Sequence, residues 1–363
     1  MKLSKFPYLV QKEIFDHIKH SNLFWLSLFS KTMKKFIKSS QTTRFQSISR
    51  ITYSGFANKW YVWISYKSKN MYTMEEYEGT ELIMTMSDLD YENYAYFQLN
   101  VSGKKIDFRV PDEYPFPEAC FHPSHKESTF ASIHNHLLDL FGDTVEYIWI
   151  TPGYKYFIPQ LPNLLLCVNI WPDRSEMVNN LEAFFNSSPT LKHINIKWIK
   201  LLLISPESRF YQAESIRIIK PRPPTVNIFL RNFKGRQATL FSCECEVSDL
   251  IEFMNRWRSG EHSGKLEYLS IRGTFGARHR NGVLNANFVK HIGPAKKPPT
   301  HSVPDLSAPE PALTIKPNTD PITSHFYIVR ETDNRVASVS IQGPKFQFGV
   351  WKETEEEFLR MVK

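Results

Sequence analysis

Three short helical patterns crowd the first forty residues, "MKLSKFPYLVQKEIFDHIKHSNLFWLSLFSKTMKKFIKSS", and leave more apolar side chains than so short a stretch can bury by itself. Val10, Ile14 and Ile18 recur at i, i+4 and i+8 behind Pro7, a residue that costs no hydrogen bond in a first helical turn. Ser21 has the side chain to cap a second helix carrying Leu23, Phe24, Leu26 and Leu28, and Ser30 to cap a third carrying Met33, Phe36 and Ile37. Segments of roughly forty residues rarely hold a core without disulfides, a metal or a partner. The surplus of Phe6, Leu9, Phe24, Trp25 and Phe29 therefore predicts an interface.

Charge is concentrated in the same segment. Eight lysines stand there against only Glu13 and Asp16, a local +6 within a whole-chain formal charge of +8. A basic docking segment favours an acidic partner and speeds encounter with it. Nucleic acid is not the expected partner, because no basic and aromatic stacking motif or zinc-finger spacing accompanies the lysines.

The order Phe6-Pro7-x-Leu9-Val10, then Glu13-Ile14-Phe15, "LFWLSLFSK" at 23–31 and Phe36-Ile37 resembles the F-box, particularly as written in the large F-box family of nematodes. It departs from the commoner Leu-Pro opening in having Phe6. The resemblance implies that residues 1–42 are a compact three-helix F-box that docks on a Skp-type adaptor of an SCF-type cullin–RING ubiquitin ligase. Carried over by position, it places Phe6, Pro7, Leu9, Val10, Ile14, Ile18, Leu26 and Leu28 in or just behind the adaptor interface.

Beyond this segment, 42% hydrophobic and 14% aromatic residues are ample for a packed core. Cys120, Cys167, Cys243 and Cys245 form no regular framework, which predicts a reducing compartment, cytoplasmic and/or nuclear. No signal peptide is evident, and the later apolar runs are about half a membrane span, so no membrane partner is expected.

The predicted fold class is α+β with an α/β portion. Residues 47–110 alternate and are rich in aromatics, a β-rich section read as an antiparallel sheet with Trp60, Tyr61, Trp63 and Tyr66 filling its core. A proline-rich patch at 110–127 marks the expected border of a second domain, 120–352. There a hexamer of the form apolar-x-x-apolar-x-apolar recurs as "VEYIWI" (145–150), "LLCVNI" (165–170), "LKHINI" (191–196), "AESIRI" (213–218) and "LEYLSI" (266–271), with a poorer copy, "QATLFS", at 237–242. Start-to-start gaps of 20 to 29 residues fall in the range of leucine-rich repeats and predict an irregular, mainly parallel strand–helix array. Return helices are expected over 175–188 and 247–259, the latter stopped by Gly260.

Residues 247–272 and 325–351 also resemble the F-box-associated domain of the same nematode family, which implies that roughly 120–352 recruits a protein substrate. Residues 293–323 hold eight prolines and are expected to form a mobile loop with no packed element. "HFYIVRE", "VASVSIQ" and "KFQFGVW" read as a three-stranded antiparallel meander, followed by a terminal helix within 354–363 that starts at Thr354.

Catalytic signatures are missing: there is no phosphate loop, nucleophile elbow, HExxH or dinucleotide fingerprint. Neither an enzyme nor a cofactor is expected, and the paired Cys243 and Cys245 lack the helix N-terminus that lowers a thiol pKa. Cys120, His122, His125, His134 and His136 are zinc ligands by type, but their spacing matches no common structural pattern, so no metal is expected. The rival reading is a zinc-dependent enzyme or nucleic-acid binder built on that 120–136 cluster and the basic N-terminus. The leading one is a substrate receptor that joins an unknown target to the adaptor.

Overall fold

The computed structural model describes residues 6–56, 59–69, 76–88, 95–111, 117–151, 157–170, 178–197, 204–221, 225–261, 264–273, 277–306 and 318–363. The chain divides into two compact units, 1–152 with 156–166, and 167–363 with 153–155. Residues 120–151, read from sequence as the start of the second domain, therefore pack in the first unit.

The first unit opens with α1 (Tyr8–Asp16), α2 (His20–Phe29), α3 (Lys31–Ser40) and a single turn, α4 (Thr42–Phe45). Strands β1 (Ile48–Phe56), β2 (Lys59–Lys69) and β3 (Glu76–Asp88) follow, then β4 (Phe97–Val101), β5 (Lys104–Arg109) and β6 (Glu118–Phe121). Helix α5 (Lys126–Phe141) and β7 (Glu146–Thr151) complete it. The strand order is β7-β1-β2-β3-β6-β5-β4. Its interior is antiparallel, as the alternation predicts, but β1 pairs β7 and β3 pairs β6 in parallel.

Alternation decides which aromatics this unit buries. Trp60, Val62 and Ile64 are buried and alternate with half-buried Tyr61 and Trp63; Tyr66, of the same parity as Trp60, is half-buried near the strand's end. Trp60 lies 4.2 Å from Trp149 between ring centroids, and Phe130 of α5 meets both, at 5.6 and 5.2 Å. These aromatics form a core under α5.

In the second unit every hexamer after the first lands on a strand. β8 (Leu164–Ile170) carries the chain into it, followed by α6 (Val178–Ser187), β9 (Thr190–Lys197), β10 (Ser215–Ile219), α7 (Thr225–Asn232), β11 (Gln237–Cys243), α8 (Val247–Ser259) and β12 (Tyr268–Gly273). Strands β9 to β12 are parallel and lie side by side in chain order. The hexamers align across them: Ile194, Ile216, Ala238 and Leu269 form one buried ladder, and Ile196, Ile218, Leu240 and Ile271 a second. The poorer copy is weak because it sits two residues out of step, so that Ala238 and Leu240 take the ladder positions.

Helix α9 (Ala277–Leu284) and short β13 (Lys290–His291), β14 (Thr300–His301) and β15 (Ile322–Thr323) lead to the meander of β16 (Phe326–Val329), β17 (Arg335–Gln342) and β18 (Lys345–Thr354). β18 runs antiparallel to β12, so Phe348 and Phe346 extend the two ladders beyond Leu269 and Ile271. The last helix, α10 (Glu355–Arg360), starts at a capping box between Thr354 and Glu357.

The proline-rich stretch differs from its expectation at both ends. β14 pairs β15, Pro304 bridges Asn318, and His301 and Ile322 are buried; residues 307–317 lie outside those described. Prolines remove backbone donors but leave carbonyls and side chains to pack. His301 Nε2 lies 3.0 Å from the Val350 carbonyl oxygen, and its ring meets Trp351 edge-on at 5.1 Å.

Gly349 makes room for this packing, since a Cβ there would stand 2.6 Å from His301 Nδ1 and 2.9 Å from the Ile322 side chain. Gly349→Ala is expected to destabilise the protein by about 1–3 kcal/mol through overpacking. It should also raise protease sensitivity within 293–323, and limited proteolysis with a denaturant titration checks both.

Candidate functional site

The helical segment faces two ways, and the face turned inward is fixed first by a carboxylate. Glu81, on β3, accepts hydrogen bonds from the backbone N–H groups of His20 (3.1 Å) and Ser21 (2.9 Å), which are among the orphan donors at the start of α2. The Ser21 hydroxyl donates to the same carboxylate, and His20 Nδ1 lies 3.3 Å from it. Ser21 is therefore not the N-cap that its position predicts; the N-cap residue is Lys19, and the cap comes from a strand some sixty residues along the chain. Burial pushes the Glu81 carboxyl up, but the bonds from His20 and Ser21 outweigh it and bring the group down to about 2.

The rest of α2 follows inward. The Trp25 indole N–H donates to the Ile83 carbonyl at 3.0 Å, and its ring meets Phe108 edge-on at 5.4 Å. The Ser27 hydroxyl donates to the Phe24 carbonyl at 2.6 Å and lies 2.7 Å from His136 Nε2 on α5. Its one proton is used, so the imidazole is the donor in that second bond. Burial, with Lys34 nearby, pulls His136 down to about 4. Lys34 and Lys38 of α3 both reach Asp139 on α5, an exposed pairing that adds little stability. Phe24 and Trp25, which the sequence assigns to an interface with another chain, instead join the segment to α5 and to its own sheet.

Helix α1 is tethered at its far end. The Arg44 guanidinium donates to the Phe15 carbonyl at 2.9 Å, Gln41 Nε2 donates to Asp16 at 2.7 Å, and Phe36 of α3 packs on Tyr8 and Phe15. Phe15 is fully buried. The first turn is otherwise open: Tyr8 stays 51% exposed beside Phe36, and Leu9 is 75% and Val10 42% exposed. Phe29, at the end of α2, is 63% exposed, so four of the seven most exposed large apolar side chains among the described residues lie in this one segment. Isolated exposed apolar residues need no explanation, whereas three consecutive ones at a helix start form a small apolar patch.

The residues named from sequence separate accordingly. Pro7, Leu9 and Val10 are exposed together at the head of α1; Phe6, Ile14, Ile18 and Leu26 are half-buried; Leu28 is buried in its own unit. The expected stripe of Val10, Ile14 and Ile18 is broken because α1 ends at Asp16, which puts Ile18 past the helix. Ser30 caps α3 as expected, its hydroxyl accepting from the Met33 N–H. Tyr8 and Glu81 were missed: Tyr8 falls off the i, i+4 stripe, and nothing local marks a distant carboxylate as a helix cap.

The 120–136 cluster does not converge. His134 Nδ1 lies 2.8 Å from the Tyr53 hydroxyl and its Nε2 2.9 Å from the Pro162 carbonyl, His136 is engaged by Ser27, and His122 and His125 are exposed. Among the described residues no three His, Cys, Asp or Glu side chains are grouped to hold a metal. All four cysteines are buried free thiols, and burial pushes Cys120 and Cys243 up to about 11, the opposite of an activated thiol. No helix among the described residues is long and apolar enough to cross a membrane.

Two charge states hold this region together, with the same pH sign. Glu81 binds its proton far less readily folded than unfolded, so its contribution is complete above about pH 4.5 and is lost as the pH falls toward 2. His136 stays neutral in the folded chain down to about pH 4, so the unfolded state gains protons first below about 6.5 and stability falls there too. Glu81→Ala is expected to cost about 2–3 kcal/mol, from a lost cap and charged hydrogen bonds. It should also flatten the stability profile between pH 4.5 and 2, as read by denaturant unfolding at stepped pH.

Compared with known families, the F-box domain matches residues 3–45, the stretch through α4. No curated protein and no solved structure matches the chain. Residues 3–45 are an F-box domain, a domain that typically binds Skp-type adaptors in SCF-type ligases.

Proposed function

We propose that this protein is a substrate receptor of an SCF-type cullin–RING ubiquitin ligase, with the open face of α1 docking on a Skp-type adaptor. The observation that carries the reading is the run of Tyr8, Leu9 and Val10, uncovered inside a matched F-box whose other face is committed to its own sheet. Apolar anchors of this kind supply most of the binding energy of an interface. Of the residues carried over by resemblance, Pro7, Leu9 and Val10 are the direct contacts, with Phe6, Ile14, Ile18 and Leu26 supporting them. Leu28 belongs to the fold and not to the interface.

The second unit is the proposed target-holding half. Its support is the parallel array of β9 to β12, read as an irregular leucine-rich-repeat-like arrangement, and the resemblance of 247–272 and 325–351 to a nematode F-box-associated domain. The protein does no chemistry itself in this reading: it raises the effective concentration of target lysines at a ubiquitin carrier. Four buried free thiols suit the reducing cytoplasm or nucleus, where such ligases work.

Leu9→Asp combined with Val10→Asp should reduce capture of a Skp-type adaptor by about thirtyfold or more, equivalent to roughly 2 kcal/mol. Both positions are exposed, so the melting temperature should stay within a few degrees of the parent. Copurification and calorimetric titration against the adaptor check this; undiminished binding by the double variant would remove the assignment.

A further inference from the structure

The second unit carries a basic, concave strip at one end of its parallel strands. One cavity of about 510 Å³ is lined by Arg231, Lys234, Arg256 and Lys265, with Gln212 and Glu261. A second, of about 340 Å³, shares Lys265 and adds Arg236, Arg335 and Lys352, with Glu267. The topology explains the gathering. Arg231, Lys234 and Arg236 precede β11, Arg256 and Lys265 precede β12, Arg335 opens β17, and Lys352 lies near the end of β18. Parallel β10 to β12 and the antiparallel turn into β18 and β17 bring all these chain positions to the same edge.

Neighbouring acids pair with the arginines there, yet their side chains stay partly open to solvent. Arg231 meets both carboxylate oxygens of Glu252, through Nε and Nη2 at 3.0 Å each, while its side chain stays 53% exposed; Arg236 donates from Nε and Nη2 to Glu267 at 3.0 and 2.8 Å and stands 4.0 Å from Glu214, while 41% exposed. Arg256 stands 3.7 Å from Glu261, and its guanidinium also donates to the Arg231 carbonyl, which holds the fork in place. Exposed ion pairs of this kind contribute little stability, so a carboxylate-bearing ligand can compete with Glu252, Glu261 and Glu267 for guanidinium groups whose geometry and charge suit carboxylates.

We infer that this strip is the surface that grips the target, and that it takes an acidic, carboxylate-bearing polypeptide segment. The inference rests on the receptor reading above for what the segment belongs to, but not for the binding itself. A nucleic-acid backbone fits less well, for two reasons. Glu261 and Glu267 interrupt the cations, which isolated carboxylates tolerate and a continuous run of phosphates does not. The aromatic residues at the strip, Phe233 and Trp351, are 3% and 8% exposed and leave no ring on which bases could stack.

The test uses the full chain and a fluorescein-labelled oligo-glutamate peptide in an anisotropy titration, beside a single-stranded oligodeoxynucleotide of equal charge. The peptide should bind more tightly than the oligonucleotide, with affinity that falls as salt rises. Lys234→Glu with Lys265→Glu should weaken it by roughly tenfold or more, and the milder Lys234→Gln with Lys265→Gln by less, since both lysines are exposed. Absence of peptide binding, tighter binding of the oligonucleotide, or charge-reversed chains that bind the peptide as well as the parent would each overturn the inference. Adaptor capture, measured on the same variants, should be unchanged, whereas the Leu9→Asp, Val10→Asp chain should lose the adaptor and keep the peptide. A chain that binds peptide but never adaptor would defeat the receptor reading alone.

Discussion

A single carboxylate on a strand, Glu81, turns a helical segment that could not fold alone into part of a larger unit. By receiving the free N–H groups at the start of α2 it fixes both the position and the direction of that helix on β3. Trp25, Phe24 and Ser27 then find their partners on β3, β5 and α5 because the helix is already aligned. Hydrophobic burial drives the association but is indifferent to register; the charged cap supplies the direction that burial lacks. Loss of that charge in acid would loosen the same helix that holds the F-box in shape.

This division of labour explains why α1 can afford an open face. With α2 committed to the sheet, and with Arg44, Gln41 and Phe36 holding the lower part of α1, the first turn is presented on an anchored helix. A partner docking there finds Leu9 and Val10 already ordered and gives up less conformational entropy than it would on a free helix. The lysines of α3 add a positive field near this edge, though Lys34 and Lys38 are drawn back to Asp139. Steering by the remainder would affect the rate of encounter more than its strength.

Much of this is legible in the sequence alone. Helical spacing located three helices, alternation located the strands of the first unit, and the hexamers marked each strand of the parallel array because ladder positions demand apolar side chains in every copy. Local signals failed where partners are distant. Ser21 looks like a cap until a carboxylate from β3 takes its place, and Phe24 and Trp25 look like interface residues until α5 covers the first and β3 and β5 the second. The proline-rich 293–323 lacks apolar periodicity, yet His301 and Ile322 pin its ends over Gly349, a contact no nearby residue announces. The basic strip was invisible for the same reason, since its cations are scattered from 231 to 352 and meet only at one edge of the folded sheet.

The central claim, that the first turn of α1 is the covered face, is open to one direct measurement: hydrogen–deuterium exchange of the full chain with and without a Skp-type adaptor. The account predicts that adaptor slows exchange over residues 8–18 and near Phe29, and leaves the strands of both units unchanged. Unaltered exchange across α1 at saturating adaptor, or protection confined to the second unit, would contradict it.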